Sequence, residues 1–293
     1  MFTPARIAAL SVVAVALFAY ALAQPSLMPP AGPIEESGRF GTRIALNQTN
    51  TPGNASSLFI ISEPGSYYLP SNADAGTRNG IRIDADNVTI DLNGFTLSGQ
   101  PGHDTGGVIP PATVPFAETS RRNIIIRNGH IRGFDTGVET DVTDPVTFGF
   151  ATLREVALDT LHISNTDTGI RATRTAFIAD CVINAREIGI RTTTATVTGC
   201  VVTIAGGSPT SSHVGIRAIN GVVKGCTVSI SNASPASSIG YDLAGVVVSG
   251  CFSDGAGTGF NLQGDTIAHT CVSTNNASLA SVGFGAQAID CNF

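Results

Sequence analysis

The chain has 293 residues and a formal charge of −6, from 16 Lys plus Arg against 22 Asp plus Glu. That balance, with Lys224 as its only lysine, excludes a basic footprint for nucleic acid or an anionic membrane surface. Charged residues are only 13%, and 33 glycines among many β-branched and turn-forming residues exclude a mainly helical fold.

MFTPAR is followed by an apolar run over 7–22 and by Ala21-Leu22-Ala23, a small-x-small cleavage pattern. The run falls short of the roughly 20 residues that span a bilayer. Residues 1–23 are therefore expected to be a signal peptide, an uncleaved anchor being the alternative. The Pro-rich leader is 24–39, and one domain over 40–293 is exported to the cell surface, the periplasm or the medium, with no integral membrane segment once the signal is removed.

Periodicity organises that domain. The cysteines Cys181, Cys200, Cys226, Cys251, Cys271 and Cys291 recur every 19–26 residues in the frames IADCVI, VTGCVV, VKGCTV, VSGCFS, AHTCVS and AIDCNF. A glycine frame runs in step: TGIRA (168–172), IGIRT (188–192), VGIRA (214–218), IGYDL (239–243), TGFNL (258–262) and VGFGA (282–286). Glycine to next cysteine is 11 or 12 residues, except 8 in the last copy. Looser copies lie upstream in NGIRI (79–83), TGVET (136–140) and RNGHIRG (127–133). A unit of about 20 residues cannot bury its apolar face alone but can when stacked, which predicts an all-β, single-stranded parallel β-helix. About nine coils are expected, with 40–75 capping the N-terminal end.

ISEPGSYYLPSN (61–72), NGIRIDADNVTIDLNGFTLSGQPG (79–102), RNGHIRGF (127–134) and the VxGC coils resemble secreted bacterial right-handed β-helix proteins of pectin-lyase-like fold. The resemblance covers roughly 40–293 and implies the hand of the helix. It implies no activity, since that family is largely uncharacterised. The Asp pair, Gly-His-Gly and Arg-x-Lys of polygalacturonase-like enzymes are absent, so any catalysis would be that of another glycoside hydrolase or of a polysaccharide lyase.

In-register stacking places equivalent residues about 4.8 Å apart with parallel Cα–Cβ vectors, whereas a disulfide needs converging Cβ atoms at about 3.8 Å. The cysteines are expected as an interior ladder; isolated disulfides are the alternative.

The outward position of the glycine frame carries Arg171, Arg191 and Arg217, a column able to hold the carboxylates of an acidic glycan. The bland alternative is an exposed charge ladder softened by acidic neighbours. The insertion 100–120 presents His103 and Asp104. Asp135, Glu139, Asp141 and Asp144 supply hard oxygen donors, and calcium is the one cofactor they suggest. Asp84 and Asp86 share one strand face, the pairing that glycoside hydrolysis uses. The expected partner is a polysaccharide or envelope glycan, not nucleic acid. Self-association at the open C-terminal end is a further expectation. The second functional reading is a non-catalytic structural or adhesive cell-surface solenoid.

Overall fold

A computed structural model describes residues 42–144, 149–206, 213–231 and 238–293. By contact the chain divides into 1–41 and 42–293, and every described residue belongs to the second unit. The signal and leader expectations fall outside the described residues.

The described strands join through parallel pairing, apart from one antiparallel hairpin and two short antiparallel bridges. Each coil gives a strand to three faces. The glycine face runs from Ser57–Ile61 through Asn79–Ile83, Gly106–Ile109 and Thr136–Glu139 to Thr258–Gln263 and Ser278–Val282. The pre-cysteine face stacks Gly65–Tyr68, Val88–Asp91, 124–127, 156–159 and Ala176–Ala179, and continues to Gln287–Ile289. The post-cysteine face stacks Thr96–Ser98, 130–132, 162–164 and 182–185, and continues to Val272–Thr274. The described part of 40–75 already follows this plan, since Ile44–Ala45 pairs with 67–68 and Ser57–Ile61 with 79–83.

Alternation sorts each strand, as the two-residue period requires. Ile170, Ile190, Ile216, Tyr241 and Phe260 form one interior file in unbroken register, and all are fully buried. The Tyr241 and Phe260 rings stack at 4.6 Å, and the Tyr241 hydroxyl donates to the Cys226 carbonyl at 2.6 Å. Placing that hydroxyl against a carbonyl avoids the cost of an unpaired polar group in the core.

The repeated glycine has a steric cause. A Cβ at Gly80, Gly107, Gly137, Gly169, Gly189, Gly215 or Gly240 would stand 2.3 to 2.6 Å from the carbonyl oxygen of the next glycine in the column. The requirement is close approach of stacked backbones. The glycines of VTGC, VKGC and VSGC serve differently: Gly199, Gly225 and Gly250 have φ near +60°, as do Asp180, Thr270 and Asp290 before the other cysteines. The backbone turns left-handed just before each cysteine, and glycine takes that conformation without strain.

All six cysteines are unbridged; Cys181 to Cys271 are buried and Cys291 is half-buried. The carbonyls of Cys181, Cys200, Cys226, Cys251 and Cys271 each accept a 2.9 Å hydrogen bond from the residue after the next cysteine, which locks the column coil to coil.

Two details of register depart from the sequence reading. Ser278–Val282, not VGFGA, pairs with 258–262. Leu279 thus occupies the glycine register, and among the described residues no further rung approaches it. The insertion 100–120 is not one loop either: Gly106–Ile109 is a rung between Asn79–Ile83 and Thr136–Glu139. The true excursions are 110–120 and 141–152, the latter a hairpin pairing Asp141–Asp144 with 149–152.

Candidate functional site

Where those excursions leave the coil they wall a cleft of about 520 Å³ over the glycine face. Its floor is the outward file Arg82, Ile109, Glu139 and Arg171, one residue per rung. One rim is 110–113 with Asp141 and Val142; the other is Asn79 and Asp104, at the starts of two floor rungs, with Ser56 and Ser57 at the start of the rung before them.

Most of the charge inside is already spoken for. Arg82 holds Asp84 through two contacts, Nε to Oδ1 at 3.0 Å and Nη2 to Oδ2 at 2.9 Å. Arg171 Nη1 donates to Glu139 Oε1 at 2.8 Å. Asp104 and Asp141 have no ion pair among the described residues, so the cleft carries residual negative charge. Three polar atoms of the lining, Ser57 Oγ, Asp141 Oδ1 and Arg171 Nε, are buried without a hydrogen-bond partner. Buried polar atoms normally find one, because leaving each unmade costs about 1–3 kcal/mol.

Glu139 is the chemically distinctive group. Burial pushes its carboxyl above the usual range; Arg171 pulls it back, and the nearby charges of Asp141 and Asp104 push it up again. A carboxyl so placed keeps its proton at a higher pH than an exposed glutamate, the property needed to hand a proton to a leaving oxygen.

The arginine column exists in register: Arg171 stands beside Arg191, Arg191 beside Arg217, and Arg217 beside Asp242. Its ends are neutralised, by Glu139 on Arg171 and by Asp242 on Arg217 at 2.8 Å each. Arg191 is exposed, with no ion pair among the described residues. It lies one rung beyond the cleft.

Of the four acids expected as hard donors, Glu139 and Asp141 line the cleft together. Asp135 accepts the backbone N–H groups of Gly102, His103 and Thr105 at 2.8 to 3.1 Å. Burial tends to raise its carboxyl, but these N–H groups outweigh that and hold it below the usual range. Asp135 thus anchors the 102–105 turn. That turn sets Asp104, at φ +54°, into the cleft and leaves His103 out of the lining. Asp144 pairs through its backbone with Gly149, and its side chain is outside the described residues. Among the described residues no three His, Cys, Asp or Glu side chains are placed to hold one metal ion. Asp84 and Asp86 are also engaged, Asp84 by Arg82 and Asp86 by the Arg122 N–H at 2.8 Å.

Ser56, Ser57 and Asn79 escape sequence reasoning. Asn79 bridges coils, its Oδ1 accepting from the Gly106 N–H at 2.8 Å and its Nδ2 donating to the Ser56 carbonyl at 3.1 Å. The available signal is its place immediately before a frame glycine.

No family model matches the chain, and no curated protein matches it. Among solved structures it is similar to the Streptococcus pneumoniae surface protein and adhesin PfbA, at 8% identity and a TM-score of 0.29, over 80% of this chain and 82% of that one. Among the described residues no helix is long and apolar enough to cross a membrane.

Proposed function

We propose that the protein is an exported, surface-associated right-handed β-helix that binds an extended acidic polysaccharide across its glycine face. The hand follows from the near-universal right-handedness of parallel crossovers, and the rung at 106–109 brings the count to about ten coils. The observation that carries the reading is the cleft floored by Arg82, Glu139 and Arg171, which continues along the column to Arg191. Sugar hydroxyls meet Asp104 and Asp141 in the cleft. A carboxylate or sulfate on the next unit meets Arg191, whose guanidinium can bind it bidentately. Cleavage at the same place falls to Glu139, the one carboxyl there held above its ordinary range.

The test is retention of purified 24–293 on acidic and neutral glycans at several salt concentrations, with ultraviolet and reducing-end assays run with and without calcium. We expect retention on acidic chains that weakens with salt. It should fall about tenfold or more in Arg191→Ala, and any product should disappear in Glu139→Gln. Equal retention of the wild type and Arg191→Ala would remove the acidic-glycan reading.

A second reading, an adhesive solenoid, is favoured by the pre-cysteine face. Phe177, Val222 and Val247 are exposed and lie in one outward file with Thr196 and Ile267. Surface attachment without any glycan retention would support it.

A further inference from the structure

His130 and His162 lie on the post-cysteine face, away from the cleft. They are direct partners in the parallel ladder, one on each of two successive coils. Their ring centroids are 5.0 Å apart and the rings are tilted by 50°. Both are exposed, and among the described residues neither ring nitrogen has a hydrogen-bond or ion-pair partner. Their file runs from Thr96 to His130 to His162 to Val182, so no in-file carboxylate or guanidinium competes for the rings. The other histidines differ: His213 is fully buried, His103 stands on the loop held by Asp135, and half-buried His269 lies on the pre-cysteine face beside Ile289.

We propose that His130 and His162 form a two-imidazole site for a divalent first-row transition metal such as Cu²⁺ or Ni²⁺. A metal–imidazole bond is about 2.0–2.1 Å, so two donors in cis positions bring their nitrogens to roughly 3 Å. Rings stacked one rung apart reach that by converging at their tips, a rotation about the side-chain torsions that the exposed surface permits. Imidazole suits these metals, and solvent fills the remaining positions. Arg132 follows two residues after His130 on the same side of the strand and opposes a bound cation, which limits affinity. Calcium, which takes oxygen donors, is not a candidate ligand here. The site would staple coils whose connecting chain includes the 141–152 hairpin, so bound metal favours the folded state.

The test is a Cu²⁺ titration of purified 24–293 followed by electron paramagnetic resonance, with the same titration of His130→Asn, His162→Asn, the double variant and His269→Asn. We expect about one equivalent bound with hyperfine splitting from two nitrogens. Affinity should drop at least tenfold in each single variant, vanish in the double variant and hold in His269→Asn. Thermal midpoints without metal should match, and added metal should raise only that of the wild type and His269→Asn. Wild-type affinity in either single variant, or binding that survives in the double variant, would overturn the proposal. If a variant failed to fold, a wild-type spectrum with one nitrogen or none would overturn it equally.

Discussion

The region from 79 to 172 and the region from 176 to 293 are built on the same three faces yet use them differently. In the second, five cysteines are fully buried and Arg217 is neutralised within the column. In the first, two excursions leave the glycine face at 110–120 and 141–152, and they bring together Asp104, Glu139, Asp141 and Arg171. The parallel pairing continues through both, with register shifts between Ser164 and Thr166 and between Thr166 and Thr168, and lengthening a surface loop adds little closure entropy. The regular coils can therefore be read as scaffold, and irregularity marks where the chain departs from what stacking alone requires.

The largest expected contrast is chemical. Hydrogen bonding to the preceding thiol in the column, and then burial, push Cys200, Cys226 and Cys251 up to about 12. At pH 8 the reactive thiolate of each should be scarcer than in a free cysteine by roughly a thousandfold. A thiol reagent should label the native protein only slowly, starting with half-buried Cys291, and should titrate six thiols once urea is added. Fewer than six after unfolding would mean that disulfides form and that the column is not what it looks like.

Stability comes next. Gly189→Ala places a Cβ 2.1 Å from Val202 Cγ1 and 2.5 Å from the Gly215 carbonyl oxygen. Neither side can give way without moving the next coil, and urea denaturation should show a loss of about 3 kcal/mol or more. Gly94→Ala meets nothing within 4 Å and bears only the strain of φ +75°, so about 1 kcal/mol is expected. Equal losses would mean that coil contact does not explain the glycine column.

The cleft and its anchoring turn should respond to pH with opposite signs. Glu139 is raised in the folded state, so its contribution is fully present below about 4.5 and is lost as pH rises through the folded value. Glu139→Gln should match the wild type near pH 4 and be the more stable at pH 7. Asp135 is lowered, so its contribution is present above about 3.8 and is lost as pH falls through the folded value. Asp135→Asn should flatten only the acid limb of a stability profile measured by urea titration. Two variants bending the same limb would break the assignment.

Much of this architecture was legible in the chain because stacking imposes one-dimensional periodicity. The frames at 168–172, 188–192 and 214–218 place Arg171, Arg191 and Arg217 in their observed register without further information. What failed did so where periodicity carries no signal. GGVI (106–109) is a rung with Ile109 where its neighbours carry the charged Arg82 and Glu139, and the surrounding Gly and Pro made it read as loop. VGFGA copies the frame by composition, yet its distance of 8 residues to Cys291 already departed from 11 or 12. The cleft depends on where excursions fold back over the glycine face, and Asp135 and Asp141 look alike in sequence. Backbone N–H groups claim one, while the other faces the cleft.

The smallest effect bears most directly on the proposed function. Arg191 is flanked in register by two other arginines, and only those two are paired with carboxylates. Arg191→Ala removes a like charge from both neighbours, so it should raise stability by a few tenths of a kcal/mol at low salt and by nothing measurable at 1 M. Arg217→Ala leaves Asp242 with the hydrogen bond from Asn261 alone and should lower stability by a similar amount. Retaining a cation that costs stability is intelligible if it serves binding, the trade-off usual at functional positions. If Arg191→Ala instead destabilised the fold by 1 kcal/mol or more, Arg191 would be a structural residue. The column would then have no free cation to offer an acidic chain.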